Sequence, residues 1–306
     1  MNIDIKLKPG TVYSLFGPSA AGKSSTLHVM AGFENQFAKA YLSVNGRVLL
    51  DAGKGKHMNV PAWRRGIVLV EQGSTLFPHL SVGENIYYGV SGQRDPWLDG
   101  WIERFGLGEY LTAKPRELSG GLVQRAVLAR AIAKRPQTLL LDEAFSALDA
   151  PLRRTLQDAV LQLRQELGTT VMMVTHQLAE AQRMADEIGI IHQGEILQTG
   201  SPEQVMLSPN SWQVAKLLGY THLLRDENAR GFAFHPNRVI LGAYSHQGPV
   251  LTGTVNQRFL HEGEYRVVLE MGECDHPVIE ISVPIDADVQ VGQALTVTVP
   301  NPPYVE

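Results

Sequence analysis

Apolar runs of strand length alternate with longer runs of helical period over the first two thirds of the chain. TVYSLF (11–16) is a short β-prone run that ends at Gly17. The loop GPSAAG follows, then KSSTLHVMA, which stops at Gly32. This order predicts strand, glycine loop and helix. TLLL (138–141) predicts a buried strand ending at Asp142-Glu143. Pro151 opens PLRRTLQDAVLQLRQEL, whose Leu152, Leu156, Val160 and Leu163 share one helical face, and Gly168 closes it. TTVMMVT (169–175) is the next buried strand, ending at His176. Strand, helix and strand in this order predict an α/β fold with an at least partly parallel sheet. Beyond about residue 185 the period changes. IGIIHQGEILQTG predicts a hairpin turning at Gln193-Gly194, residues 201–219 read as helical, and from about 231 only short strands follow. The spacing of those strands, with a turn at His261-Glu262-Gly263-Glu264, predicts a small all-β barrel or sandwich. The domain boundary is placed near 220–232.

The loop gives the first chemistry. Gly17, Gly22, Lys23 and Ser24 fit the phosphate-binding pattern G-x-x-x-x-G-K-[ST], set between a strand and a helix as that pattern requires. Successive backbone N–H groups of the loop point at the phosphates, so Gly17, Pro18, Ser19, Ala20, Ala21, Gly22 and Ser25 are read, with Lys23 and Ser24, as nucleotide-binding. The helix presents its positive end to the phosphates. Lys23 is expected to reach the β and γ phosphates, and the Ser24 hydroxyl to ligate Mg2+. Asp142 ends a strand where it can hold the same ion, which leaves Glu143 as the general base for an attacking water. His176 ends the next strand and can hydrogen-bond the γ-phosphate. Gln72 ends the apolar run GIVLVEQ (66–72) and can sense metal and water. Ser119, Gly120 and Gly121 precede a helical stretch from Leu122 to Arg135, a second anion-seeking helix start or a plain helix cap.

Composition narrows the class. The chain has 306 residues, 44% of them hydrophobic and 19% charged, enough for about two domains with ordinary cores. A formal charge of −4 and the lack of a dense Lys/Arg run argue against a nucleic-acid partner. The single cysteine, Cys274, excludes an internal disulfide. No apolar run reaches the ~18 residues that span a bilayer, and the N-terminus lacks a signal-peptide core, so a cytoplasmic chain that serves a membrane through a partner is expected.

In combination the motifs resemble the nucleotide-binding subunit of an ATP-binding-cassette (ABC) transporter. GPSAAGKS, VEQGSTLFPHLSVGENI, LSGG, LLLDE, SALD and VTH occur in the family's order over about residues 3–219. The tail, with HPNRVIL and GPVLTGTVNQRFLHEGEYRVVLEM, is similar to the small OB-like, TOBE-type β-barrel at the C-terminus of importer subunits for oxyanions, iron, polyamines and sugars. The resemblance implies an ABC ATP-binding domain over 1–222, with a mixed sheet and a helical subdomain at about 75–135, and a barrel domain over 230–306. It implies a head-to-tail homodimer or paired cassette in which Ser119, Gly120 and Gly121 bind the γ-phosphate of ATP held by the other copy. Asp149 then lies at the dimer interface, Glu143 is the base, His176 its partner, and Ser24, Gln72 and Asp142 surround Mg2+. Leu76–Tyr88 is expected near integral membrane permease subunits, with an extracytoplasmic solute-binding protein acting indirectly. The place of action is the cytoplasmic face of the inner membrane.

Three departures stand out. Leu122 replaces the glutamine that usually follows LSGG, and Ala20 replaces a loop glycine. The family's preceding strand, with its adenine-stacking aromatic, would lie before MNIDIKL, so weak adenine binding or a displaced start codon is expected. The resulting reading is an importer ATPase, with VNGRVLLDAGKG and FPHLSVGENIYYGV most like molybdate-type oxyanion systems. Iron, polyamine, sulfate or another solute is the alternative, and a regulatory nucleotide-binding module with weak hydrolysis is the alternative of another class. A soluble relative acting on DNA or ribosomes fits least, since this chain carries neither two cassettes nor a long coiled coil.

Overall fold

The computed structural model describes residues 2–36, 38–53, 56–90, 95–146, 148–226, 228, 230–272 and 278–305. Cys274 lies outside the described residues. Contacts divide the chain into two units, 1–202 and 203–306.

In the first unit, β1 (Val12–Phe16) leads through the glycine loop into α1 (Lys23–Ala31). A three-stranded antiparallel sheet follows, made of β2 (Ala40–Val44), β3 (Arg47–Gly53) and β4 (Lys56–Asn59). Then come β5 (Ile67–Val70), α2 (Val82–Ile86), α3 (Pro96–Arg104) and α4 (Gly120–Ala133). The unit ends with β6 (Thr138–Asp142), α5 (Ala150–Leu167), β7 (Thr170–Thr175), α6 (Leu178–Met184), β8 (Glu187–His192) and β9 (Glu195–Gly200). The main sheet has six strands in the order β5-β6-β7-β1-β8-β9. Every neighbouring pair is parallel except β8–β9, a hairpin whose turn residues Gln193 and Gly194 both take positive φ. The expected mixed sheet is therefore present.

The four-leucine-length run at 138–141 is fully buried because parallel strands are covered on both faces. The apolar face of α5 packs through Leu156, Val160 and Leu163 into the core that also holds Leu139, Leu141, Val171 and Met173. Gly168 stops this helix in the left-handed conformation at φ 66, which glycine adopts without strain. The expected helical segment around 75–135 is represented by α2, α3 and α4, gathered around buried Ile86, Leu98, Trp101 and Phe105. α4 begins at Gly120 rather than Leu122, because the Ser119 hydroxyl accepts the Leu122 N–H at 3.4 Å and caps the first turn.

The second unit carries α7 (Pro202–Leu207), α8 (Trp212–Leu217) and a strand pair, β10 (His222–Arg225) with β11 (Gly231–Phe234). The short strand β12 (Ile240–Leu241) follows. Next come β13 (Val250–His261), β14 (Glu264–Met271), β15 (Val278–Pro284) and β16 (Ala294–Thr298), and together these five form an antiparallel sheet in the order β12-β16-β13-β14-β15. The β13–β14 hairpin turns at Glu262-Gly263, as the sequence predicts. One continuous core of Phe232, Phe234, Val267, Leu269, Ile279 and Ile281 fills this unit. This unit begins at Glu203. Within it the Tyr220 hydroxyl donates to Met206 O at 2.6 Å and accepts from Arg238 at 2.7 Å, which ties the helical residues to the strands.

Candidate functional site

β1, one of the two central strands of the main sheet, fixes the site, flanked by β7 and β8. The chain leaves it at Gly17, where no side chain fits: an added Cβ would sit 2.1 Å from the Ile191 carbonyl oxygen. Glycine at 17 thus lets the loop pass against β8. The loop closes at Gly22, the α1 N-cap, with φ 101. Between them Ala20 is held at φ 63, a conformation glycine takes freely and alanine does not. The Lys23 ammonium, largely buried, donates to the Gly17 and Pro18 carbonyl oxygens at 2.9 and 2.8 Å. Burial pushes its pKa down, against the opposing pull of the Glu143 and Asp142 carboxylates. The loop amides and the buried ammonium form a positive cradle that suits a polyanion, and the carboxylates beside it suit the cation that accompanies one.

β6 brings Asp142 to the same edge. The Ser24 hydroxyl donates to Asp142 Oδ1 at 3.0 Å. Burial raises the Asp142 pKa, and the Ser24 hydrogen bond and His28 offset part of that rise. A hydroxyl and a carboxylate at this distance are the hard oxygen donors Mg2+ takes, so the residues fit that ion. Among the described residues no cluster of three or more His, Cys, Asp or Glu could hold a metal alone. A Mg2+ here would take its other ligands from phosphate and water.

Glu143 follows directly. Its N–H donates to Val174 O at 3.1 Å, and its φ of 44 is a strained value for a side chain with a Cβ. That kink turns the carboxylate toward the end of β7, where His176 Nδ1 lies 3.1 Å from Glu143 Oε1. Glu143, His176, Asp142, Ser24 and Lys23 therefore gather at the C-terminal edge of the parallel sheet, where ligands of such sheets collect.

Gln72 stands exposed in the turn after β5. Its neighbour Glu71 meets His28 Nε2 at 3.1 Å, and both Glu71 and His28 act electrostatically on Asp142. This pair had no sequence signal, because residues so far apart in the chain meet only when α1 packs on β5. Ser119 and Gly120 are exposed at the start of α4, and an added Cβ on Gly121 would press on Leu152 of α5 at 2.8 Å. Asp149 caps α5 by accepting the Leu152 N–H at 3.2 Å.

Comparison with known proteins places this geometry among others. The family described as "ABC transporter" matches residues 1–146. A ferric-iron import ATP-binding protein of Pseudomonas fluorescens is 40% identical over 236 residues, covering 76% of this chain and 65% of that protein. A spermidine/putrescine import ATP-binding protein of Thermobifida fusca is 37% identical over 230 residues, covering 73% of this chain and 57% of that protein. The chain thus spans less than two thirds of the length of these two relatives. A ferric-iron import ATP-binding protein of Brucella abortus is 33% identical over 329 aligned positions, covering 95% of this chain and 90% of that protein. Among solved structures, cbiO1 from Clostridium perfringens, part of the ABC transporter complex cbiONQ, superposes with a TM-score of 0.56 at 22% identity, over 66% of this chain and 82% of that one. That likeness shows the fold.

Proposed function

This chain belongs to the ABC transporter family, and we propose that it is the ATP-hydrolysing subunit of an importer for a small solute. The observation that carries this reading is the 3.1 Å pair of Glu143 and His176, set beside the Lys23 loop and the Ser24–Asp142 pair. In this reading the loop amides of 17–25 and Lys23 bind the phosphates of ATP. Ser24 and Asp142 hold Mg2+, which neutralises phosphate charge when bound. Glu143 takes the proton of the attacking water, and His176 orients that carboxylate and reaches the γ-phosphate.

A second cassette completes the site. Ser119 and Gly120 stand exposed and Gly121 half-buried, available to the ATP of a head-to-tail partner, and Asp149 caps the start of α5. ATP stabilises the closed pair because its phosphates touch both copies, and hydrolysis removes those contacts. Phe77 and Tyr88, partly exposed with ring centroids 4.6 Å apart, offer the permease contact within Leu76–Tyr88. The chain then works at the cytoplasmic face of the membrane; no helix among its described residues is long and apolar enough to cross one. We read residues 1–222 as the ATP-binding domain and 230–306 as a TOBE-like barrel. The relatives' cargoes, ferric iron and spermidine or putrescine, support iron or a polyamine ahead of the molybdate suggested by 44–55.

Phosphate release measured against protein concentration tests the reading. A more-than-linear rise that disappears in Glu143→Gln, with nucleotide still bound, is expected. Turnover that survives Glu143→Gln overturns it. Nucleotide binding with no turnover in the parent would favour the regulatory module, for which the strained Ala20 is the supporting observation.

A further inference from the structure

Behind the Glu143–His176 pair lies a second polar cluster that the proposed chemistry does not use. Arg153, on the first turn of α5, donates from Nη2 to the Leu148 carbonyl at 2.7 Å and from Nη1 to Gln177 Oε1 at 3.2 Å. The Leu148 N–H donates to Phe145 O at 3.3 Å and the Ser146 N–H to Glu143 O at 3.1 Å, which links Leu148 back to Glu143. Gln177 is the residue after His176. The two terminal nitrogens of one planar guanidinium therefore hold the two loops that carry the reacting pair. The Arg153 Nε is buried without a hydrogen-bond partner, so the fork is committed to these two bonds although one buried N–H goes unmet.

The charge of Arg153 has a counterpart below it. Glu180, on α6, is 5% exposed. Its carboxylate accepts from Gln157 Nε2 at 3.3 Å and from the Thr175 hydroxyl, and it lies within the electrostatic reach of Arg153 and His176. The Thr175 hydroxyl in turn accepts the Gln177 N–H at 3.0 Å. The residues on either side of His176 are thus both held, Thr175 by Glu180 and Gln177 by Arg153. A buried charge kept beside an unpaired buried N–H costs stability. Its return here is geometry: a rigid, planar donor spans two loops that a single-point ammonium spans less well.

We propose that Arg153 is a positioning residue for hydrolysis, setting the distance between Glu143 and His176 by tying the Leu148 carbonyl to the Gln177 side chain. This rests on the reading of the chain as an ATPase.

Two measurements on the whole protein test it. Arg153→Met is expected to lower kcat at least tenfold with KM within twofold of the parent, and Arg153→Lys to recover part of the loss. Hydrogen exchange in Arg153→Met is expected to speed up in peptides covering 143–152 and 174–180, and to stay as in the parent for the phosphate-loop peptide covering 12–31. A kcat within twofold of the parent, or a rise in KM alone, overturns the proposal. So does exchange that is unchanged at both loops, or faster throughout the unit, since the latter marks a general structural role. Should the parent hydrolyse no ATP, the functional reading fails and the exchange result alone decides whether Arg153 ties the loops.

Discussion

The His176 imidazole Nδ1 stands 3.1 Å from Glu143 Oε1, and the two residues follow the ends of neighbouring parallel strands, β6 and β7. Glu143 is the more sheltered side chain, 17% exposed against 47% for His176. Burial restrains the carboxylate, and the 3.1 Å contact restrains both groups. Removing the ring in His176→Ala is expected to reduce single-turnover hydrolysis by about 10²–10³-fold, the range for losing one hydrogen-bond donor to a developing negative charge, while nucleotide still binds. Groups that act as a unit are not additive. The Glu143→Gln/His176→Ala double variant is expected to be no slower than Glu143→Gln alone, and a further hundredfold drop would show that the two act separately.

Two loop substitutions are expected to move stability in opposite directions. Ala20→Gly relieves a left-handed alanine, worth about 1–2 kcal/mol, against the ~0.5–1 kcal/mol entropy of a new glycine. The urea midpoint of the first unit is expected to rise slightly. Gly17→Ala drives a methyl into the Ile191 carbonyl and is expected to cost at least about 1–3 kcal/mol, as overpacking does. A midpoint that falls in the first variant or holds in the second contradicts the loop geometry.

Ser119 carries two roles that its variants separate. It caps α4 through Leu122 N–H, and its hydroxyl is proposed to meet the partner's ATP. Ser119→Ala is expected to lose about 1 kcal/mol of stability, and Ser119→Gly only a few tenths, because glycine is tolerated at an N-cap. Both lack the hydroxyl, so both are expected to lose hydrolysis. Full turnover in Ser119→Gly would confine Ser119 to capping.

Glu180 gives a pH dependence of stability. Burial raises its pKa in the folded chain, with the Thr175 and Gln157 hydrogen bonds and the Arg153 charge offsetting part of the rise. Between the ordinary glutamate value of about 4.3 and the raised folded value, the folded chain holds a proton that the unfolded chain releases. Its contribution is complete below that window and is lost as pH rises through it. Denaturant midpoints followed upward from about pH 4 are expected to fall less steeply in Glu180→Gln than in the parent. Parallel curves would show that Glu180 titrates alike in both states.

Much of the site was legible in the chain because its parts are short and local. Gly22, Lys23 and Ser24 are set by one loop and one helix start. Gly32 and Gly168 take the left-handed conformation that ends α1 and α5 where the sequence places those ends. The turns at Gln193-Gly194 and Glu262-Gly263 follow from residues that accept positive φ. Local chemistry also misled in a small way. The start of α4 moved to Gly120 because the Ser119 cap is satisfied three residues before the apolar period begins at Leu122.

By itself, then, the sequence determined which strands are buried, which glycines turn the chain, and that Lys23, Ser24, Asp142, Glu143 and His176 each close a strand or open a helix. Only the tertiary structure decided that these five meet. Parallel strands β1, β7 and β6 are neighbours although far apart in the chain, and their shared direction carries their ends to one edge. The same holds for His28 with Glu71 and for Arg153 with Leu148 and Gln177. Periodicity describes one element at a time, whereas a hydrogen bond between elements depends on the order in which strands pack, and no local spacing encodes that order.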